Sequence, residues 1–195
     1  MPAAILLDQR RSRRGPDLVE PWLKRVNASD IRLLLPFERT AGDEMEGLVD
    51  DPKAFTEIVL PALESPSWWI GIGIGDVDTP LPKSVRQSRG IAFELARQAI
   101  GEAKARPERL RVLDRERDPV DLEAVLLLMG ALYSRRRQRD SPALRLRSSG
   151  LNTVQIAERL GVTKQAVSQQ LLTARWAEEQ AGKVLVEHLA ALALG

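Results

Sequence analysis

The chain has no cysteine among its 195 residues. Disulfides and thiolate zinc sites are therefore excluded, and a reducing compartment fits. Histidine is nearly absent too. His188 is the only one, and its place beside an apolar stripe reads as a partly exposed position and not a metal ligand. Long apolar runs are missing: residues 124–133 form the longest uncharged apolar stretch, against the roughly 20 residues a membrane span needs. The apolar run within residues 1–8 has no basic region before it, unlike a secretory signal. The expectation is a soluble cytoplasmic protein without a membrane partner. No internal repeat or low-complexity tract stands out.

Net charge is also small, at +2. The arginines are nevertheless unevenly placed. Arg10, Arg11, Arg13 and Arg14 form one cluster; Arg135, Arg136, Arg137, Arg139, Arg145 and Arg147 form another, opposed only by Asp140. A local basic face says more about phosphate contact than overall charge does, although a solvated helix end has the same composition. Hydrophobic residues make up 44% and charged residues 29%, an ordinary globular balance.

Apolar spacing divides the first 117 residues into alternating elements. Residues 3–7 read as a buried strand and 17–26 as a helix with Leu18, Trp22, Leu23 and Val26 on one face. Residues 31–40 and 45–49 read as a hairpin turning at Ala41-Gly42-Asp43-Glu44. Residues 52–63 have helical spacing, with Pro61 expected to bend or end the helix. Residues 68–77 alternate apolar residues with glycine, as suits a strand closely approached by another backbone. Trp68 and Trp69 must then point to opposite faces. A long helix over 85–105 and a strand over 110–113 follow. This order predicts an antiparallel-rich sheet with helices on one face, and it resembles the ferredoxin-like palm of nucleotide cyclases.

The charged stretch Asp114 to Asp118 marks the expected boundary between a domain at 1–117 and one at 118–195. Asp118 and Pro119 suit the start of a helix running to about Arg137, with Leu122, Val125, Leu126, Met129, Leu132 and Tyr133 spaced three or four apart. Apolar residues at 124, 127 and 128 imply burial on more than one side, as in a connector.

Residues 153–171 read TVQIAERLGVTKQAVSQQL. Thr153 or Asn152 suits the cap of a first helix, with Ile156 and Leu160 inward and Ala157 small where two helices meet. Gly161 falls at a turn needing positive φ. Val162 is expected to plug the space between the helices and Thr163 to cap the second, with Val167 and Leu171 inward. Lys164, Gln165, Ser168 and Gln169 are then exposed near the end that enters a major groove. Gln pairs with adenine, Ser reads base edge or phosphate, and Lys serves phosphate or guanine. This segment resembles the helix-turn-helix of sigma-factor region 4 and of LuxR-type regulators, which implies a double-stranded DNA partner; a helical pair used for protein contact has the same spacing. Residues 176–194 read as a last helix striped by Ala181, Val184, Leu185, Leu189 and Leu192. That stripe serves either packing against the 122–133 helix or a homodimer seam.

Three further segments lie in order: Ile5-Leu-Leu-Asp8-Gln-Arg-Arg-Ser12-Arg13, Ala41-Gly-Asp43-Glu44-Met-Glu-Gly47 and Ile70-Gly-Ile-Gly-Ile-Gly75-Asp76-Val77. With Gly90-Ile-Ala-Phe93-Glu-Leu-Ala-Arg97 they resemble the SatD-like family, whose members often carry a C-terminal helix-turn-helix. The resemblance implies an α+β chain: a cyclase-like sensor or dimerisation domain, then an all-α DNA-binding domain. A more remote similarity to nucleotide cyclases implies a second function class, an enzyme holding Mg²⁺ and a nucleotide on Asp8 and Asp43, with Glu44 the alternative ligand. Arg10, Arg11, Ser12 and Arg13 would grip nucleotide phosphates or touch DNA. Gln9, Arg10 and Arg11 stand where cyclases have small or apolar residues, which favours the regulator.

Overall fold

The computed structural model describes residues 1–137 and 141–195. It is a mixed α+β structure with five strands and, among the described residues, eight α-helices. No described helix is long and apolar enough to cross a membrane.

The five strands are β1 (Ala3–Gln9), β2 (Leu35–Ala41), β3 (Glu44–Val49), β4 (Trp68–Ile74) and β5 (Leu110–Asp114). Their order is β2-β3-β1-β4-β5. β1 is central and antiparallel to both neighbours, β2 is antiparallel to β3, and β5 is parallel to β4. Every residue of β1 is buried, because helices cover both its faces. On one face Ala3, Ile5 and Leu7 meet α1 (Val19–Asn27), α2 (Pro52–Glu64), α4 (Val120–Arg137) and α8 (Trp176–Leu194) in one apolar cluster. On the other, Ala4 and Leu6 meet Ala92, Phe93, Ala96 and Ile100 of α3 (Ile91–Lys104).

The expectation of helices on one face is thus corrected. A parallel β4–α3–β5 crossover adds the second layer, and the glycines of β4 admit it. A Cβ on Gly71 would lie 2.5 Å from the Ile100 amide nitrogen and 2.7 Å from the Ala96 carbonyl oxygen, and one on Gly73 would strike the same helix. α3 therefore lies closer to β4 than a side chain would allow. Trp68 and Trp69 do face opposite ways: Trp68 is buried against Trp22, ring centroids 5.5 Å apart, and Trp69 packs with the α3-side cluster.

Two helix expectations also change. The segment at 85–105 is a short 3-10 turn at Val85–Gln87 followed by α3. Gly90 separates them at φ 126°, and its absent Cβ would meet the Val77 Cα at 2.6 Å. α2 continues through Pro61 to Glu64. Buried Phe55, Ile58, Val59, Ala62 and Leu63 on both sides of the proline hold it across the missing hydrogen bond.

The expected boundary at 117–118 falls in the β5–α4 link, but the apolar clusters group residues differently. Leu122, Val125, Leu126, Met129 and Tyr133 of α4 and Val186, Ala190 and Leu194 of α8 belong to the main sheet core. Only α5 (Pro142–Ser148), α6 (Thr153–Leu160) and α7 (Lys164–Thr173) build a core of their own, from Ala143, Ile156, Ala157 and Val167. α5 lies in the stretch that reads as merely arginine-rich. α8 packs on α4 as one of its two readings has it, with another face: Val184 is 70% exposed and Leu185 and Leu192 also face solvent.

Candidate functional site

The α6–α7 pair is fixed by local chemistry. Asn152, not Thr153, caps α6: its Oδ1 accepts from the Val154 and Gln155 amides at 2.9 and 3.0 Å, and Gln155 Oε1 accepts from the Asn152 amide at 2.9 Å. This reciprocal cap satisfies otherwise orphaned donors. Gly161 ends α6 at φ 65°, with the Val162 amide donating to the Ala157 carbonyl at 3.0 Å. Thr163 Oγ1 then accepts from the Ala166 amide at 3.1 Å and starts α7. Val162 does not plug the core. It is 38% exposed, because Leu160 and Leu171 close the space with Leu146 and Leu151 from α5 and the following loop.

Thr163, Lys164, Gln165, Ser168 and Gln169 are all exposed. The four polar residues from 164 to 169 share the outer side of the first two turns of α7, with Val167 buried beneath. Leu172, exposed at 61%, continues this face by one turn, a position the sequence reading did not single out.

The second arginine group is divided by the structure. Arg135 and Arg145 are exposed, and Arg147 is half-buried, donating to the Leu151 carbonyl at 3.3 Å. Arg136 is withdrawn from solvent. Its Nε and one terminal nitrogen donate to the Ala174 carbonyl at 3.1 and 2.9 Å, and the other contacts Glu179 at 2.8 Å. It clamps α4 to the α7–α8 turn with its side chain only 9% exposed, which corrects its expected place on a DNA face. Arg139 and the Arg137 side chain lie outside the described residues.

At the end of β1 the expected nucleotide site is largely self-paired. Asp8 is buried and lies 2.5 Å from Lys104 Nζ of α3. Asp43 accepts from Ser12 Oγ, and its carbonyl accepts from the Gln9 amide at 2.9 Å. Glu44 accepts from Thr40 Oγ1 at 2.7 Å. No three carboxylate or imidazole groups converge for a metal among the described residues. Gln9 clamps the following loop, its Nε2 donating to the Pro16 carbonyl at 2.8 Å and its Oε1 accepting from the Leu18 amide at 2.9 Å. Arg10 donates to the Pro66 carbonyl at 2.8 Å and lies over Trp69, 5.5 Å from the ring centroid. Arg11 and Arg13 are exposed, Arg11 in the left-handed region at φ 58°.

One buried acid escaped the sequence reading. Glu46 of β3 stands opposite Leu6 on β1 and Glu38 on β2, so it shares the α3-side face with Asp8 and Glu44. It is 1% exposed, and its Oε1 has no hydrogen-bond partner. Burial pushes its carboxyl up to about 7, opposed by Arg97 and reinforced by Glu44. The available signal was a charged residue inside an otherwise apolar strand, masked by its nearness to the charged hairpin turn.

Compared with protein-family models, curated proteins and solved structures, the chain has no match.

Proposed function

We propose that the chain is a sequence-specific DNA-binding transcriptional regulator. The observation that carries this reading is the α6–α7 pair: a left-handed glycine at the turn, a threonine cap, and Lys164, Gln165, Ser168 and Gln169 exposed on the first turns of the second helix. Under this reading the pair is a helix-turn-helix with α7 in the major groove. Arg145 and Arg147 serve the flanking phosphates, and the protein acts as a dimer on two half-sites. The sheet is the sensing or dimerisation module. Its first four strands, ordered β2-β3-β1-β4 and mutually antiparallel, support a ferredoxin-like, cyclase-like connectivity, and with it the SatD-like resemblance. The Mg²⁺-nucleotide alternative draws less support. Asp8 is already paired with Lys104 and Asp43 with Ser12, so the carboxylates do not fit a two-metal site as they stand.

The test is selection of bound duplexes from a random pool, followed by polarisation titrations of the winning sequence. Gln165→Ala and Gln169→Ala should each weaken specific binding by about tenfold or more, at roughly 1–3 kcal/mol per base contact, and leave the unfolding midpoint unchanged. Replacing Arg145 should weaken all duplexes alike and lower the salt slope by about one unit. No enriched sequence, or affinity indifferent to both glutamines, overturns the proposal.

A further inference from the structure

One side of α4 is accounted for by the core: Leu122, Val125, Leu126, Met129 and Tyr133 are buried. The opposite side is not. Asp121, Ala124, Leu128, Ala131 and Arg135 are all exposed and recur at spacings of three and four, so they form one row along the helix. Leu128 is 71% exposed at its centre. Asp121 and Arg135 each lie seven residues from it, one toward either end, and Ala124 and Ala131 fill the positions between. Neither charge has an ion-pair partner among the described residues.

This row matches its own reverse. When two copies are laid antiparallel about a two-fold axis through Leu128, the two leucines meet, each faces the alanines of the other chain, and Asp121 of each meets Arg135 of the other. A seven-residue repeat with small residues at alternate positions is the pattern on which paired helices approach closely. An isologous interface requires this kind of self-complementarity. The exposed stripe of α8 lacks it: acids stand in its first turn, no base stands in its last, and Lys183 in between is already paired with Glu179 at 2.8 Å, so an antiparallel pair of α8 helices has no unpaired lysine or arginine to offer.

We infer that the outer row of α4 is the seam of a two-fold homodimer, its occupant being α4 of a second copy. This deepens the dimer element of the function proposed above. The seam runs about 21 Å at 1.5 Å per residue, which is short beside interfaces burying about 800 Å² per partner, so association is weak and concentration-dependent.

Sedimentation velocity on the full chain without DNA, up to about 100 μM, should show a monomer–dimer equilibrium. Leu128→Arg should weaken association at least about tenfold. Asp121→Arg and Arg135→Asp should each weaken it, and the two together should restore it by re-pairing with reversed sign. All three positions are exposed, so near-UV circular dichroism should be unchanged in every variant. A chain monomeric throughout overturns the inference, as does a dimer that survives Leu128→Arg or a double charge swap no tighter than the singles. A dimer broken instead by Leu185→Lys places the seam on α8 and equally overturns it. DNA reading fails or stands separately, on the response to Gln165→Ala and Gln169→Ala.

Discussion

Glu46 holds a position that sequence patterning assigns to an apolar side chain, and it has little to repay its burial. Arg97 is its only favourable charge among the described residues, while Glu44 repels it. A carboxyl raised from 4.5 to about 7 in the folded protein binds its proton more tightly there than in the unfolded chain. Its contribution is therefore fully present below pH 4.5 and is lost as pH rises through 7, reaching a cost of about 3 kcal/mol above that. Glu46→Gln should remove most of this slope. Urea unfolding of the two proteins should coincide more closely near pH 5 and diverge at pH 8, with the variant more stable by about 1–3 kcal/mol. Equal differences at both pH values would show that Glu46 does not titrate in this range. The same scale explains why arginines with the same local composition part company. Arg136 meets the free carbonyl of Ala174 and the carboxylate of Glu179, whereas Arg135, one residue earlier, points outward. Composition treats them alike; only the position of α8 separates them.

Among the elements, β4 shows how a sequence pattern becomes a packing constraint. Glycines at 71 and 73 lie on one face of the strand, and α3 rests directly on that bare backbone. Gly71→Ala should force α3 outward and cost about 3 kcal/mol or more, seen as a lowered urea midpoint. Gly101→Ala on α3, where a Cβ meets nothing within 4 Å, should be neutral or slightly stabilising. The close approach at β4 was legible from the alternation alone, as were β1, the 41–44 turn, α1, α2, and the cap-glycine-cap grammar of α6 and α7, because each is written in neighbouring residues. Other features were not. Whether helices cover one face or two depends on the direction of β5, a non-local pairing. On α8 nearly every turn offers an alanine, leucine or valine, so two stripes fit the spacing. The buried one was chosen by Met129, whose sulfur lies where a Cβ on Gly182 would stand. α5 was hidden because it is one short helix in which two arginines, Arg145 and Arg147, stand beside the only two residues it buries, Ala143 and Leu144.

At the level of the whole molecule, the question is whether the two expected halves stand alone. Charge and turn residues at 114–118 mark a boundary in the sequence, but α4 and α8 return to cover α2 and complete the sheet core. Glu123 strengthens this return. It is buried on α4 and accepts from Arg106 at 2.9 Å, from Arg111 at 2.9 and 3.0 Å, and from the Val112 amide at 2.7 Å, binding α4 to the end of α3 and to β5. A fragment of residues 1–117 would expose the α2 face that Leu126, Met129, Val186 and Ala190 now cover, would take Glu123 from Arg106, and would leave Arg111 with Glu102 alone. Such a fragment should bind a dye for exposed apolar surface, lose near-UV circular dichroism and unfold without a cooperative transition, whereas the sheet core of the full chain should unfold in one. A stable, cooperative 1–117 fragment would restore the sequence boundary as a true domain division. Because α4 carries both the core contact and the exposed Asp121–Arg135 row, any shift in how the sheet packs against α4 moves the proposed seam with it. A ligand that raises the unfolding midpoint of the sheet core should therefore change the sedimentation-measured dimer constant, and in Leu128→Arg it should raise the midpoint with no change in oligomeric state.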